Sequence, residues 1–192
     1  PMRVIPSPAA ISRMEETLNW TVGLDPIGVA IADLDQDGRP ELLSANEGSD
    51  SIGVLRNLGA GSFAAAVAYS VDLSPYAVGV SDIDLDGRLD VVSVNARSNN
   101  VSRLRVSVTG SLLAARSFPS NTQFQAVATA DYDRDGRPDL FAIDAGSRAA
   151  YAIQNSGPGS LLASSVVFVG SKPLAAVAVD VDVDGRPDLA VA

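Results

Sequence analysis

Nine residues, Asp33-Leu34-Asp35-Gln36-Asp37-Gly38-Arg39-Pro40-Glu41, return in recognisable form at 82–90, 131–139 and 180–188, each copy 49 residues after the last. In every copy positions 1, 3 and 5 are Asp, position 6 is Gly, position 7 is Arg and position 9 is acidic. A period of this length obliges the chain to repeat one supersecondary unit. The pattern also carries chemistry. Carboxylates at alternate positions around a glycine turn bring several oxygens together, as a hard cation such as calcium requires.

The residues around each acidic loop read as strands. Residues 27–32, 76–81, 125–130 and 174–179 are short apolar runs of small or β-branched side chains, expected to be buried on both faces. Each leads into the loop. A second strand follows at 42–45, 91–95, 140–144 and 189–192, with Pro40, Pro138 and Pro187 just ahead of it, where a missing amide donor is tolerated. Third strands are expected at 51–56, 101–106 and 149–154. Fourth strands are expected at 65–71, 113–118 and 164–169, after turn sequences such as Gly157-Pro158-Gly159-Ser160. Four strands per unit without helical periodicity predict an all-β repeat.

The first 25 residues join the pattern when slid by one period. Met2-Arg3-Val4-Ile5 then falls on Ser51-Ile52-Gly53-Val54, and Trp20 falls on Tyr69. The chain therefore starts with strands three and four of a repeat and finishes with strands one and two. This predicts a single β-propeller domain, 1–192, with repeats 26–74, 75–123 and 124–172, and a fourth, 173–192, completed by 1–25. Ala30, Gly79 and Ala128 are small enough for strands crowded near the propeller axis. Two closures satisfy the split repeat. Residues 2–5 can pair with 189–192 of the same chain in a four-bladed monomer, which high effective concentration favours. Alternatively the halves pair between two copies, and a homodimer closes an eight-bladed ring.

The repeat resembles the FG-GAP or VCBS-type repeat of integrin-alpha-like calcium-binding β-propellers, with Asp-x-Asp-x-Asp-Gly-x-x-Asp between the first two strands. The resemblance implies calcium held by side chains at positions 1, 3, 5 and 9 and by the main-chain carbonyl at position 7. Carried onto this chain, the ligands are Asp33, Asp35, Asp37, Arg39 and Glu41 in loop one, and Asp82, Asp84, Asp86, Arg88 and Asp90 in loop two. Loop three offers Asp131, Asp133, Asp135, Arg137 and Asp139, and loop four Asp180, Asp182, Asp184, Arg186 and Asp188. Glu41 is the one departure from the motif. About four calcium ions per chain are expected, in a structural role that ties strand one to strand two.

Two other readings of the loops are weaker. EF-hands need an acid at position 12, which here is Ser44, Ser93, Ala142 or Val191. A solvated turn would explain Asp and Gly, yet four carboxylates within nine residues repel one another without a cation. The arginines at position 7 could form an anion-binding ring, but the simpler expectation is that each offsets its own loop's charge. Arg97, Arg103, Arg105 and Arg116 cluster in repeat two and are expected on an ordinary solvated face. Trp20 and Tyr69 occupy equivalent strand positions and are expected to pack. Tyr76 and Tyr132 are the aromatics expected to be exposed and able to stack on a sugar.

Composition limits function further. The chain has no Cys and no His, so disulfides, thiol chemistry and the commonest general base are absent. The net charge is −9, but 16 of the 23 acidic residues lie in the four loops, so four divalent ions (+8) would leave −1. Nucleic acid is not an expected partner, since no binding motif is present and aromatics are only 5%. No apolar run is long enough to span a membrane. The expected function is a binding or interaction scaffold of adhesion type, with a protein or glycan ligand. The expected place, from the resemblance and from calcium use, is outside the cell or on its surface. A lectin-like carbohydrate binder is the first alternative. A hydrolase or lyase with its site at the propeller mouth comes last, because only Glu15–Glu16 and isolated arginines break the repeat symmetry.

Overall fold

The structure is a computed structural model that describes residues 2–4, 18–157 and 159–192. Its strands are β1 (Met2–Val4), β2 (Leu18–Trp20), β3 (Pro26–Ala32), β4 (Glu41–Asn46), β5 (Ser51–Leu55), β6 (Asn57–Gly59), β7 (Ser62–Phe63), β8 (Val67–Ser70) and β9 (Pro75–Ser81). They continue as β10 (Asp90–Asn95), β11 (Asn100–Leu104), β12 (Arg116–Pro119), β13 (Ala126–Ala130), β14 (Asp139–Asp144), β15 (Ala149–Asn155), β16 (Leu161–Phe168), β17 (Ala176–Val179) and β18 (Asp188–Val191). Among the described residues three four-stranded antiparallel sheets form, in the orders β3-β4-β5-β8, β9-β10-β11-β12 and β13-β14-β15-β16. These are blades one, two and three of a β-propeller fold. The hairpin β6–β7 lies between β5 and β8 as a separate two-stranded sheet, and a 3₁₀ turn, Glu47–Ser49, joins β4 to β5.

Each blade buries both faces of its second strand, which is why that strand reads as almost unbroken apolar sequence. On β10, Val91 packs into the core shared with blade one, beside Leu43, Ala45 and Ile52. Its alternating neighbours Val92 and Val94 pack the other way, with Phe124, Leu140 and Ile153 of blade three. The first strands lie side by side, β3 against β9, β9 against β13, and β13 against β17. Small residues permit that approach. A Cβ at Gly79 would sit 3.3 Å from Val127 Cγ1 on the next blade.

The expectation that strand one is buried on both faces is met only in part, since Pro75 and Val78 of β9 and Ala126 of β13 are buried while the rest of those strands is half-buried. Val78 of β9 is 8% exposed, whereas its repeat equivalent Val29 on β3 is 64% exposed. The reason is packing, since among the described residues no inner strand covers that side of blade one.

The two half-repeats fold as expected but do not join. Among the described residues β1 pairs only with β2, and β17 only with β18. The same-chain pairing of 2–5 with 189–192 is therefore not formed, and Ile5 lies outside the described residues. Docking explains it. Trp20 and Val22 seat the N-terminal hairpin on Leu42 and Leu55 of blade one, with Trp20 edge-on to Phe63 at 5.2 Å. Ala176, Leu189 and Val191 seat the C-terminal hairpin on Ala126, Ile143 and Ala150 of blade three. The halves are held at opposite ends of the stack.

Candidate metal centres

The four acidic loops share one backbone design. Position 4 takes the left-handed conformation in every copy, at Gln36, Leu85, Arg134 and Val183, with φ between 57° and 63°. Position 6 is glycine with φ from 82° to 85°, where a side chain would be strained. This double reversal folds amides back onto the first carboxylate. Asp33 accepts the Asp37 and Gly38 amides at 3.1 and 2.9 Å, and Asp82 accepts those of Asp86 and Gly87 at 3.0 and 2.9 Å. Asp131 and Asp180 do the same at 3.1 and 2.9 Å each. The position-5 carboxylate in turn accepts the position-7 amide, at 2.8–3.0 Å across the four loops.

Carboxylate oxygens then converge. Asp33, Asp35 and Asp37 each present an oxygen within 4.8 Å of the others, as do Asp82, Asp84 and Asp86. In loops three and four the convergent sets are Asp131, Asp133 and Asp139, and Asp180, Asp182 and Asp188. Asp35 Oδ1 and Asp84 Oδ1 are buried without a hydrogen-bond partner, and an orphaned carboxylate oxygen in such a place is costly. The donor set, all oxygen and anionic, fits a hard divalent cation. Glu41 and Asp90 stand apart from the convergent sets of their loops, and so do Asp135 and Asp184. The position-7 carbonyls of Arg39, Arg88, Arg137 and Arg186 remain expected ligands.

Position 9 has a bracing job that the motif alone does not reveal. It is the first residue of each second strand, and its carboxylate accepts the amide of position 2. The pairs are Leu34 to Glu41 at 2.9 Å, Ile83 to Asp90 at 3.1 Å, Tyr132 to Asp139 at 3.1 Å and Val181 to Asp188 at 2.9 Å. Asp139 also takes the Asn155 amide at 2.8 Å. The sequence signal was its fixed place just inside a strand, where a carboxylate can reach back over its own loop. Burial pushes the Asp139 carboxyl up, while these two amides oppose the shift. Burial also pushes Asp90 up to about 6, against the attraction of Arg103.

Three of the position-7 arginines pair with their own loops, and Arg88 forms no ion pair among the described residues. Arg39 pairs with Asp37 at 2.5 Å, Arg137 with Asp135, and Arg186 with Asp184 at 3.9 Å. The Arg39 hydrogen bond holds Asp37 below the usual carboxylate range. In the repeat-two cluster Arg97, Arg105 and Arg116 are exposed as expected, and the expectation fails at Arg103. Arg103 is buried, because β11 turns it inward onto Asp84 and Asp90, while Arg105 pairs with Asp84 and Asp86. Arg116 lies over the Phe118 ring at 4.9 Å. Of the aromatics, Tyr69 packs against the first core and Tyr76 is half-buried. Tyr132 is exposed but sits edge-on to Phe141 at 5.6 Å. Glu15 and Glu16 lie outside the described residues.

The FG-GAP-like repeat profile matches residues 33–93, 82–142 and 134–191. The chain belongs to the FG-GAP-like repeat family. The matched stretches run from the first acidic loop into the fourth repeat, so the loops and the strands that hold them define the membership. No curated protein matches the chain. Among solved structures it resembles a functionally unknown protein from Desulfotomaculum acetoxidans DSM 771, with 16% identity and a TM-score of 0.59 over 88% of this chain and 46% of that one. The V. cholerae biofilm matrix protein Bap1 is similar at 21% identity and TM-score 0.52, over 85% of this chain and 23% of that one. A streptogramin B lyase is similar at 14% identity and TM-score 0.52, over 81% and 45%. At these identities the likeness is one of fold. This chain spans about half or less of each. No helix among the described residues is long and apolar enough to cross a membrane.

Proposed function

We propose that this FG-GAP-repeat propeller is a calcium-stabilised scaffold for binding another macromolecule, working outside the cell or on its surface. The observation that carries the reading is the fourfold loop geometry, in which folded-back amides hold the first carboxylate and three carboxylates converge in every copy. Preorganised anionic oxygen sets favour calcium over magnesium, which keeps its waters and seldom enters an all-protein cage. Each ion would clamp the end of a first strand to the start of a second. Extracellular modules hold calcium with dissociation constants of about 10⁻⁴–10⁻³ M, which suits the calcium level there. The scaffold reading is favoured over catalysis because no buried acid–base pair stands apart from the loops among the described residues. Calcium titration with ion counting tests the metal, and elemental analysis finding no calcium in folded protein would end the reading. A glycan array beside a protein-capture screen then separates carbohydrate from protein ligands.

The uncovered blade faces support a companion proposal about assembly. We propose that a second copy of the chain pairs with β1–β2 and β17–β18, because each hairpin leaves an open edge among the described residues. Val29 and Ile31, each 64% exposed, would be covered by the partner's inner hairpin, as Val78 is covered by blade one.

A further inference from the structure

Loop two differs from its neighbours by one buried side chain. Blade one carries Val54 opposite Leu43, and blade three carries Ala152 opposite Phe141. At the same register in blade two, opposite Val92, stands Arg103. Its side chain is 4% exposed. Nε donates to Asp90 Oδ2 at 3.0 Å, Nη2 lies 2.9 Å from the same oxygen, and the guanidinium also pairs with Asp84. The turn of the next blade closes over it so tightly that a Cβ at Gly159 would lie 1.5 Å from Arg103 Nη1.

In blade one no guanidinium is buried in the corresponding space. A cavity of about 210 Å³ lies between Asp35, Glu41 and Val54 on one side and Thr109, Gly110 and Ser111 on the other. Arg56 reaches Asp35 from its rim, as Arg105 reaches Asp84, so a rim arginine is common to both loops. The buried guanidinium belongs to loop two.

We propose that Arg103 is the resident cation of loop two. It makes this the weakest of the first three calcium sites and holds the loop folded without metal. A guanidinium stays charged under all ordinary conditions and its fork matches carboxylates in geometry. Buried against Asp84 and Asp90, it already neutralises two of the four loop carboxylates. A calcium ion would have to draw Asp84 away from it, or sit beside a fixed positive charge at low local dielectric. In loop one the arginines on Asp35 and Asp37 are exposed and screened by water, and among the described residues no arginine pairs with Asp131, Asp133 or Asp139 of loop three. The inference rests on the calcium reading above.

The position-6 glycines provide separate reporters, since the Gly38, Gly87 and Gly136 amides each donate to the first carboxylate of their own loop. Calcium is titrated into metal-free protein while these three amide resonances are followed. The expected result is a Gly87 midpoint at least tenfold higher in calcium than those of Gly38 and Gly136. Arg103→Val, which installs the side chain of blade one, should lower the Gly87 midpoint at least tenfold and leave the other two in place. Should Arg103→Val not fold, Arg103→Met keeps the length of the stem and carries the same expectation, and the wild-type order needs no variant. A Gly87 midpoint within threefold of the others, or one unmoved by loss of Arg103, overturns the proposal alone. If no glycine responds to calcium, the calcium reading falls and this proposal with it.

Discussion

Gly28 sits so close to blade two that a Cβ there would come within 2.9 Å of the Tyr76 carbonyl oxygen and 3.0 Å of Ala77 Cα. Both contacts are backbone, which cannot swing aside as a side chain can. Gly28→Ala should therefore force β3 and β9 apart and cost about 1–3 kcal/mol, the usual range for overpacking. Urea denaturation of the two proteins measures it. An unchanged midpoint would mean that the blades have slack at this seam.

Calcium removal should lower the melting temperature. At a calcium concentration a hundredfold above the dissociation constant, each independent site contributes about 2.7 kcal/mol through linkage. Several such sites amount to a large part of a domain's typical ~5–15 kcal/mol. Thermal melts with and without a strong chelator test this, after metal removal is verified. Identical melts would deny the ions a stabilising role.

Asp139 offers a way to separate bracing from ligation. Its carboxylate satisfies the Tyr132 and Asn155 amides together. Asp139→Ala leaves both donors without that partner; the Asn155 amide is buried, and a buried unsatisfied group costs about 1–3 kcal/mol. The loss should persist in chelator, where no metal contributes. If chelator erases the difference between Asp139→Ala and wild type, the residue acts through the ion alone.

Val29 tests the assembly. Light scattering should give twice the chain mass, and Val29→Glu should return it to the monomer by placing a charge on the face to be covered. The melting temperature of the Val29→Glu monomer should not depend on its concentration. A wild-type monomer at every concentration would reject closure by a second copy.

Much of the fold follows from the sequence because its information is local and periodic. The 49-residue spacing, the apolar second strands and the Asp-Gly loops are each fixed within a few residues, and four copies average out local ambiguity. Position 4 of the loop was less legible. Leu85 and Val183 do not announce a left-handed backbone, which the surrounding carboxylate–amide bonds impose.

The sequence by itself determined the repeat, the strand order within each blade and the acidic loops. Tertiary structure alone decided what lies between blades. Arg103 reads as one more surface arginine until β11 turns it inward beneath Gly159 of the next repeat. Val29 and Val78 are the same residue at the same position, yet one is exposed and the other buried. Whether the half-blades meet was likewise set by where Trp20 and Leu189 dock. Interblade contacts join residues dozens of positions apart, and their strength depends on which surfaces come to face each other. A periodic local pattern repeats the surface but does not say what covers it.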